Sequence, residues 1–290
     1  MKRMLVPLDG SKTGEAALPW AKFFAEAKGT NIELLSCFRP LSAVYTYPDF
    51  ATPPPVAYDL SGFIRTSEKY LKLTAREYEL PEDTITTVKE GEPADLIITH
   101  SESDDVESLL LASHGRGGIG RWLLGSVVTK VVRGCRKPVF VFQASEGEPS
   151  PPKLGRILVC LDGSKISEAA LTEAVKLARI HGSELTLFRS VEYFPYPASA
   201  YQLAVESEQK VCQDYLDGLA GTLSDLKVET VVRITSAVQG ILEQSQEHDL
   251  VVVASHGLGG FERWLLGSVT EKVLHLVKSP LLIVHTQETD

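Results

Sequence analysis

Residues 3–18 read RMLVPLDGSKTGEAAL, and residues 156–171 read RILVCLDGSKISEAAL. Residues 111–127, LASHGRGGIGRWLLGSV, return at 253–269 as VASHGLGGFERWLLGSV. Two long matches in the same order make the chain a tandem duplication, so the fold of one copy is the fold of both. Asp9 to Gly125 spans 116 positions, whereas Asp162 to Gly267 spans 105. The extra length is assigned to the stretch from Arg39 to Gly62, where Pro40, Pro48 and Pro53-Pro54-Pro55 fix φ and remove donors, as in a loop. Between the copies, residues 146–155 (EGEPSPPKLG) have the proline, glycine and charge content of a linker. The expected organisation is a first domain over 1–146, a linker over 147–155 and a second domain over 156–290.

Each copy alternates two periodicities. Met4–Leu8, Ile32–Phe38, Thr84–Lys89, Leu109–Ser113 and Val139–Phe142 are short apolar or β-branched runs that read as strands. Thr13–Lys28, Phe63–Tyr78, Pro93–Ser101 and Ser126–Cys135 carry helical spacing; Ala16, Ala17, Trp20, Phe23, Phe24 and Ala27 fall on one face of the first. Pro93 suits a first helical turn and Gly29 a position just past a helix end. The second copy repeats the order with strands at Ile157–Leu161, Leu185–Val191, Val228–Ile234, Leu250–Ser255 and Leu281–His285. Strands joined by helices make a parallel sheet covered on both faces. The fold class expected is therefore α/β: two tandem doubly wound domains, each with a five-stranded, mainly parallel sheet. The apolar fifth strands end each repeat as open edges, which predicts an internal pseudo-dimer in which the two domains pair through them.

Composition narrows the function. The chain has 290 residues, 43% hydrophobic and 23% charged, an ordinary globular balance. Its formal charge of −9 argues against gripping a nucleic-acid backbone, and neither half forms a basic patch. Cys37, Cys135, Cys160 and Cys212 show no C-x-x-C spacing and do not form a disulfide framework. No apolar run of about 18 residues suggests a membrane span, and the first residues do not develop a signal-type segment. The expectation is a soluble, cytoplasmic protein with no nucleic-acid or membrane partner; a homo-oligomer stays open.

In open parallel sheets, ligands bind beyond the carboxyl ends of strands at a topological switch point. Both repeated motifs sit there. The first strand runs into Asp9-Gly10-Ser11, and the fourth into Ser113-His114-Gly115. After nine more residues, Gly125 and Ser126 open a helix. A helix start offers unpaired N–H groups and a partial positive charge to an anion, and glycine leaves no Cβ in the way. Ser126 either caps that helix or donates its hydroxyl to a ligand. Asp9 and Asp162 either accept from ligand hydroxyls or hold a local turn. His114 and His256 either contact phosphate or support their loops, with no second histidine or cysteine at metal spacing. Arg121 with Trp122, and Arg263 with Trp264, recur in both copies, the tryptophans reading as packing. Gly115-x-Gly117-x-x-Gly120 matches a dinucleotide fingerprint, but it follows the fourth strand and copy two breaks it at Glu262.

A small residue, two residues, Gly, nine residues and Gly-Ser, preceded by V-P-x-D-G-S and by G-E-P-A at Gly91–Ala94, resembles the nucleotide-binding signature of the universal stress protein family. The resemblance covers essentially the whole chain as two domains. It implies an adenine nucleotide alpha hydrolase-like fold and ATP or another adenine nucleotide, with or without Mg²⁺, between the first and fourth strands. The residues it implies in the first copy are Pro7, Asp9, Cys37, Ala112, His114, Gly115, Arg116, Gly125, Ser126 and Val127. Those in the second are Asp162, Ser190, Ala254, His256, Gly257, Gly267, Ser268 and Val269. Triphosphate would meet the Gly-Ser helix starts, with ribose and base near Asp9 and Cys37.

The chain departs from the family pattern at Ala112 and Ala254, where nucleotide-binding members often have glycine. Pro7 becomes Cys160, and Arg116 becomes Leu258, in the second copy. The function expected is a binding and regulatory module in a stress response, with no catalytic residue assigned. Two alternatives stand beside it: a slow ATP hydrolase or nucleotidyl-transfer enzyme using the same pocket, and an adaptor with an empty pocket.

Overall fold

The computed structural model describes residues 2–39, 60–113, 124–144, 152–192, 198–256 and 266–285. The first half runs β1 (Arg3–Leu8), α1 (Leu18–Lys28), β2 (Asn31–Phe38), α2 (Leu60–Glu77), β3 (Ile85–Glu90), α3 (Pro93–Ser101), β4 (Val106–Ser113), α4 (Ser126–Gly134) and β5 (Val139–Gln143). The second runs β6 (Arg156–Cys160), α5 (Lys165–His181), β7 (Glu184–Val191), α6 (Ala198–Gly221), β8 (Val228–Ile234), α7 (Ala237–Ser245), β9 (Leu250–Ala254), α8 (Ser268–Leu276) and β10 (Leu281–Val284). All pairings within a half are parallel, in the order β3-β2-β1-β4-β5 and its repeat β8-β7-β6-β9-β10. Each half is a doubly wound α/β unit, as the alternating periodicities require.

The halves share one ten-stranded sheet. β5 and β10 lie antiparallel at its middle, with Val139 opposite Ile283, Phe140 opposite Leu282 and Val141 opposite Leu281. Above this seam Trp20 stacks on Phe142 at 5.2 Å, and Phe24 packs 4.9 Å from Phe140. Polar clasps cross it as well. Gln143 Nε2 donates to the Val277 carbonyl, and the His285 ring nitrogens lie 2.8 Å from the Val132 carbonyl and 3.0 Å from that of Lys137.

The period-2 alternation of the strands builds two cores. Met4, Val6 and Leu8 join Ala21 and Phe24 of α1, Leu71 of α2, Ala174 of α5 and Leu216 of α6 on one face. Leu5 joins Ile97 of α3, Val131 of α4, Ile241 of α7 and Val273 of α8 on the other. The chain therefore leaves β1 toward one face and β4 toward the opposite one, which opens a crevice between their carboxyl ends.

Two local expectations are corrected. The single helix expected over Thr13–Lys28 is a 3₁₀ turn, Gly14–Ala17, followed by α1. Pro19 has no N–H to donate to residue 15, so an unbroken α-helix through it would lose a bond and clash. The second half has Thr172 at this place, and α5 runs unbroken. The fourth strand also begins at Val106 rather than Leu109, because Arg3 pairs with Val106 before the register shifts. The proline-rich stretch assigned to a loop lies, from residue 40 to 59, outside the described residues.

Candidate nucleotide site

β1 delivers Asp9 to the carboxyl edge of the sheet, and the residues after it hold its side chain in place. Asp9 Oδ1 accepts from the Ser11 backbone N–H at 2.9 Å and from the Ser11 hydroxyl at 2.6 Å. Ser11 Oγ in turn accepts from the Gly14 N–H at 3.0 Å. Gly10 bends the chain at φ +84, and a Cβ on Gly14 would stand 2.9 Å from Asp9 Oδ1. Asp9 thus forms an Asx turn, while its Oδ2 accepts no hydrogen bond among the described residues. The turn role weighed for this residue is realised, and Asp9 is itself exposed.

The second half repeats the turn. Asp162 Oδ1 accepts from Ser164 N at 2.9 Å and Ser164 Oγ at 2.6 Å, and Ser164 Oγ caps α5 by accepting from Ser167 N at 3.1 Å. Gly163, at φ +90, lies under the Arg189 guanidinium, which also sits 5.3 Å from the Tyr215 ring centre.

On the opposite side of the crevice, Gly125 is the N-cap of α4 and Ser126 its first residue, so Ser126 is not the cap. Among the described residues no side chain caps this helix, and Ser126 is exposed. A Cβ added to Gly125 would come no nearer than 4.0 Å to its closest neighbour, Val128 Cγ2, and its φ of −60 suits any residue. No contact within the described residues requires glycine at 125. The N–H groups of the first turn, Ser126 and Val127 among them, point out of the helix end with its partial positive charge.

Gly267 caps α8 in the same way, with Ser268 and Val269 following. Here the helix start is fastened to β9: Gly267 N donates to the Ser255 carbonyl at 2.7 Å, and the Thr270 hydroxyl donates to the Ala254 carbonyl at 2.8 Å.

Pro7 lies on β1 opposite Leu35, Cys37 on β2 opposite Lys89, and Ala112 on β4 opposite Phe142. Ser190 lies on β7 opposite Arg233, and Ala254 on β9 opposite Val284. The parallel strands bring all of them toward one edge. Burial pushes the Cys37 thiol up to about 11, with Lys89 pulling it back slightly, which favours the neutral thiol at pH 7. His256 holds Nδ1 3.0 Å from Ser255 Oγ, while its buried Nε2 has no partner among the described residues. Burial lowers its pKa, which leaves a neutral imidazole. His114, Gly115, Arg116 and Gly257, along with both Arg–Trp pairs, lie outside the described residues.

One cluster had no role in the sequence reading. Glu15, 3% exposed, accepts from the hydroxyls of Tyr70 and Tyr78, each at 3.1 Å, and from Lys12 Nζ at 2.7 Å. Glu168 accepts from Tyr215 at 3.2 Å in the same place. Burial first, and then the glutamate, pushes the Tyr215 hydroxyl up to about 12. The signal was present: both glutamates fall inside the repeated motif, four residues after a repeated serine.

A family model described as the universal stress protein family matches residues 1–143 and again residues 153–285. The chain belongs to the universal stress protein family. Universal stress protein Rv2005c of Mycobacterium tuberculosis is 28% identical over 291 residues, covering 97% of this chain and 96% of that protein. Universal stress protein Rv2623 of the same species is 25% identical over 307 residues, covering 99% and 97%. The crystal structure of a universal stress protein from Archaeoglobus fulgidus superposes with a TM-score of 0.68 at 20% identity, covering 98% of each chain. The tandem, doubly wound architecture is thus that of this family. Among the described residues no helix is long and apolar enough to cross a membrane.

Proposed function

We propose that this universal stress protein is an adenine-nucleotide-binding regulatory module. The nucleotide's phosphates would lie on the N–H groups at the starts of α4 and α8, with its ribose and base toward Asp9 and Cys37 or Asp162 and Ser190. The observation that carries this reading is Gly125: a helix N-cap at the switch point where φ and, among the described residues, space and packing would all accept a side chain, and none is present. An anion seated on those amides explains the missing Cβ. Oδ2 of Asp9 offers an acceptor across the same crevice, suited to a ribose hydroxyl. Ala112 and Ala254 replace glycine by the smallest side chain, both on strand positions that L-residues adopt freely.

The proposed action is a shift in conformation driven by binding. Bound nucleotide would alter a surface offered to a partner, by no more than its difference in affinity for the two states. The β5–β10 seam supports reading the halves as an internal pseudo-dimer.

A thermal shift with ATP, ADP and AMP, with and without Mg²⁺, tests the reading. At 100 times the dissociation constant, bound nucleotide adds about 2.7 kcal/mol to apparent stability. A shift without ADP production fits the binding module. Mg²⁺-dependent turnover lost on Gly125→Val and Asp9→Ala would establish the hydrolase instead, and no shift with any adenine nucleotide would favour the empty-pocket adaptor.

A further inference from the structure

α2 and α6 occupy equivalent places in the two halves, because Tyr70 and Tyr215 donate their hydroxyls to the repeated glutamates Glu15 and Glu168. Aligning the helices on these tyrosines uncovers a reversal of charge. Lys69 stands where the second half has Asp214, and Lys72 where it has Asp217. On α2, Arg65, Glu68, Lys69, Lys72 and Arg76 surround Leu73, which is 52% exposed, and line a shallow groove of ≈ 370 Å³. On α6, Glu206, Asp214 and Asp217, with Lys210 keeping the charge of Arg65 among them, flank Val211, which is 61% exposed, with Leu203 a further exposed apolar residue. Among the described residues, Lys69, Lys72, Arg76, Glu206 and Asp214 enter no ion pair.

The two faces do not reach each other within one chain. α2 packs on β2 and β3 at one end of the ten-stranded sheet, and α6 on β7 and β8 at the other. At about 4.8 Å per strand the ends are roughly 40 Å apart, several times the ~8 Å screening length at physiological salt. Both helices bury their inner faces in the same core, so both present their outer faces on the same side of the molecule.

We propose that the α2 face of one copy of this chain docks on the α6 face of a second copy. Leu73 would meet Val211 and Leu203 at the centre, and the lysines and carboxylates would pair around them. The charge pattern favours this occupant over a nucleic acid or other polyanion, which would use α2 and leave the reversed helix unexplained. It also sets the direction. Two α2 faces repel one another, as do two α6 faces, so the contact joins unlike surfaces.

Sedimentation velocity of the full chain, without nucleotide, tests the proposal. Three forms are compared: wild type, Lys69→Glu/Lys72→Glu, and Glu206→Lys/Asp214→Lys. All four substituted residues are exposed, and equal denaturation midpoints would confirm that each variant folds. Wild type should associate beyond 31.7 kDa at ~0.02 M salt. Its dissociation constant should rise about tenfold or more at ~0.5 M, where the screening length falls to roughly 4 Å. Each variant alone should stay at the single-chain mass, and an equimolar mixture of the two should associate again. Wild type remaining a single chain at low salt would overturn the proposal. So would association that survives either reversal, or a mixture that fails to associate. Because no nucleotide enters the experiment, its failure leaves the nucleotide reading where it stands.

Discussion

Phe23 of the first half and His181 of the second lie face to face across the seam, ring centres 4.6 Å apart and 14° from parallel. His181 Nε2 is buried without a partner among the described residues, and Phe24 meets the same ring edge-on at 5.7 Å and 71°. A neutral imidazole fits this aromatic nest; an imidazolium would be stranded in it. Burial, and secondarily Lys28, lowers the His181 pKa from its ordinary 6.5.

The sign of the pH dependence follows from that shift. When the folded pKa is depressed, the unfolded chain binds more protons, so stability is complete above about 6.5 and is lost as pH falls through the folded value. His248, His256 and His285 are shifted the same way by burial and act in the same direction. The protein should therefore lose stability as pH falls below about 6.5, by at most about 1.4 kcal/mol per pH unit for each histidine. His181→Phe keeps a ring on Phe23 and removes the titration. Denaturant midpoints should show a shallower pH slope for this variant than for wild type; an unchanged slope would mean that the stack carries no such linkage.

The Asp9 turn separates geometry from charge. Asp9→Asn retains an oxygen that can accept from Ser11, so stability should change little. Asp9→Ala removes the acceptor for both Ser11 bonds and should cost about 1 kcal/mol. Urea unfolding reads these differences. In nucleotide titrations both variants should weaken binding in the first half, because asparagine, with its one oxygen held by Ser11, offers the crevice an amide NH2 in place of an acceptor.

Two buried contacts distinguish glycines that look alike in the sequence. A Cβ on Gly240 of α7 would come within 2.5 Å of Phe188 Cζ and 2.8 Å of Thr235 Cγ2. A Cβ on Gly134 of α4 would meet Ile98 Cδ1 at 2.6 Å, the free end of a flexible side chain. Alanine gains about 1 kcal/mol of helix propensity at either site. Overpacking against a core aromatic ring costs about 1–3 kcal/mol. Gly240→Ala should be clearly destabilising and Gly134→Ala near neutral. Equal midpoints for the two variants would contradict this account of the packing.

Most strands and helices were legible because each is a short run with one dominant period. Pro93 and Gly29 fixed helix ends by chemistry that does not depend on distant contacts. The failure at Thr13–Lys28 was local too, since Pro19 sat in the sequence, but its effect was masked by the apolar face running through it. The start of β4 at Val106 was not legible: Val106, Glu107 and Ser108 lack an apolar run, and Arg3 recruits them through pairing. The Asp-Gly-Ser and Gly-Ser motifs were visible because they are written twice. The Glu15–Tyr70–Tyr78 cluster was not, because residues 55 and 63 positions apart in the chain meet only after α1 and α2 pack on one face.

Isothermal titration of ATP into wild type, Gly125→Val and Gly267→Val tests most directly whether the starts of α4 and α8 hold nucleotide phosphates. Among the described residues packing leaves room for a side chain at Gly125, and valine in place of an N-cap glycine costs roughly 1 kcal/mol, so that variant should remain folded; circular dichroism verifies this for both. Saturable binding to wild type, with each variant losing the site in its own half and the double variant losing all binding, is the predicted result. Full occupancy of the folded double variant would contradict the account.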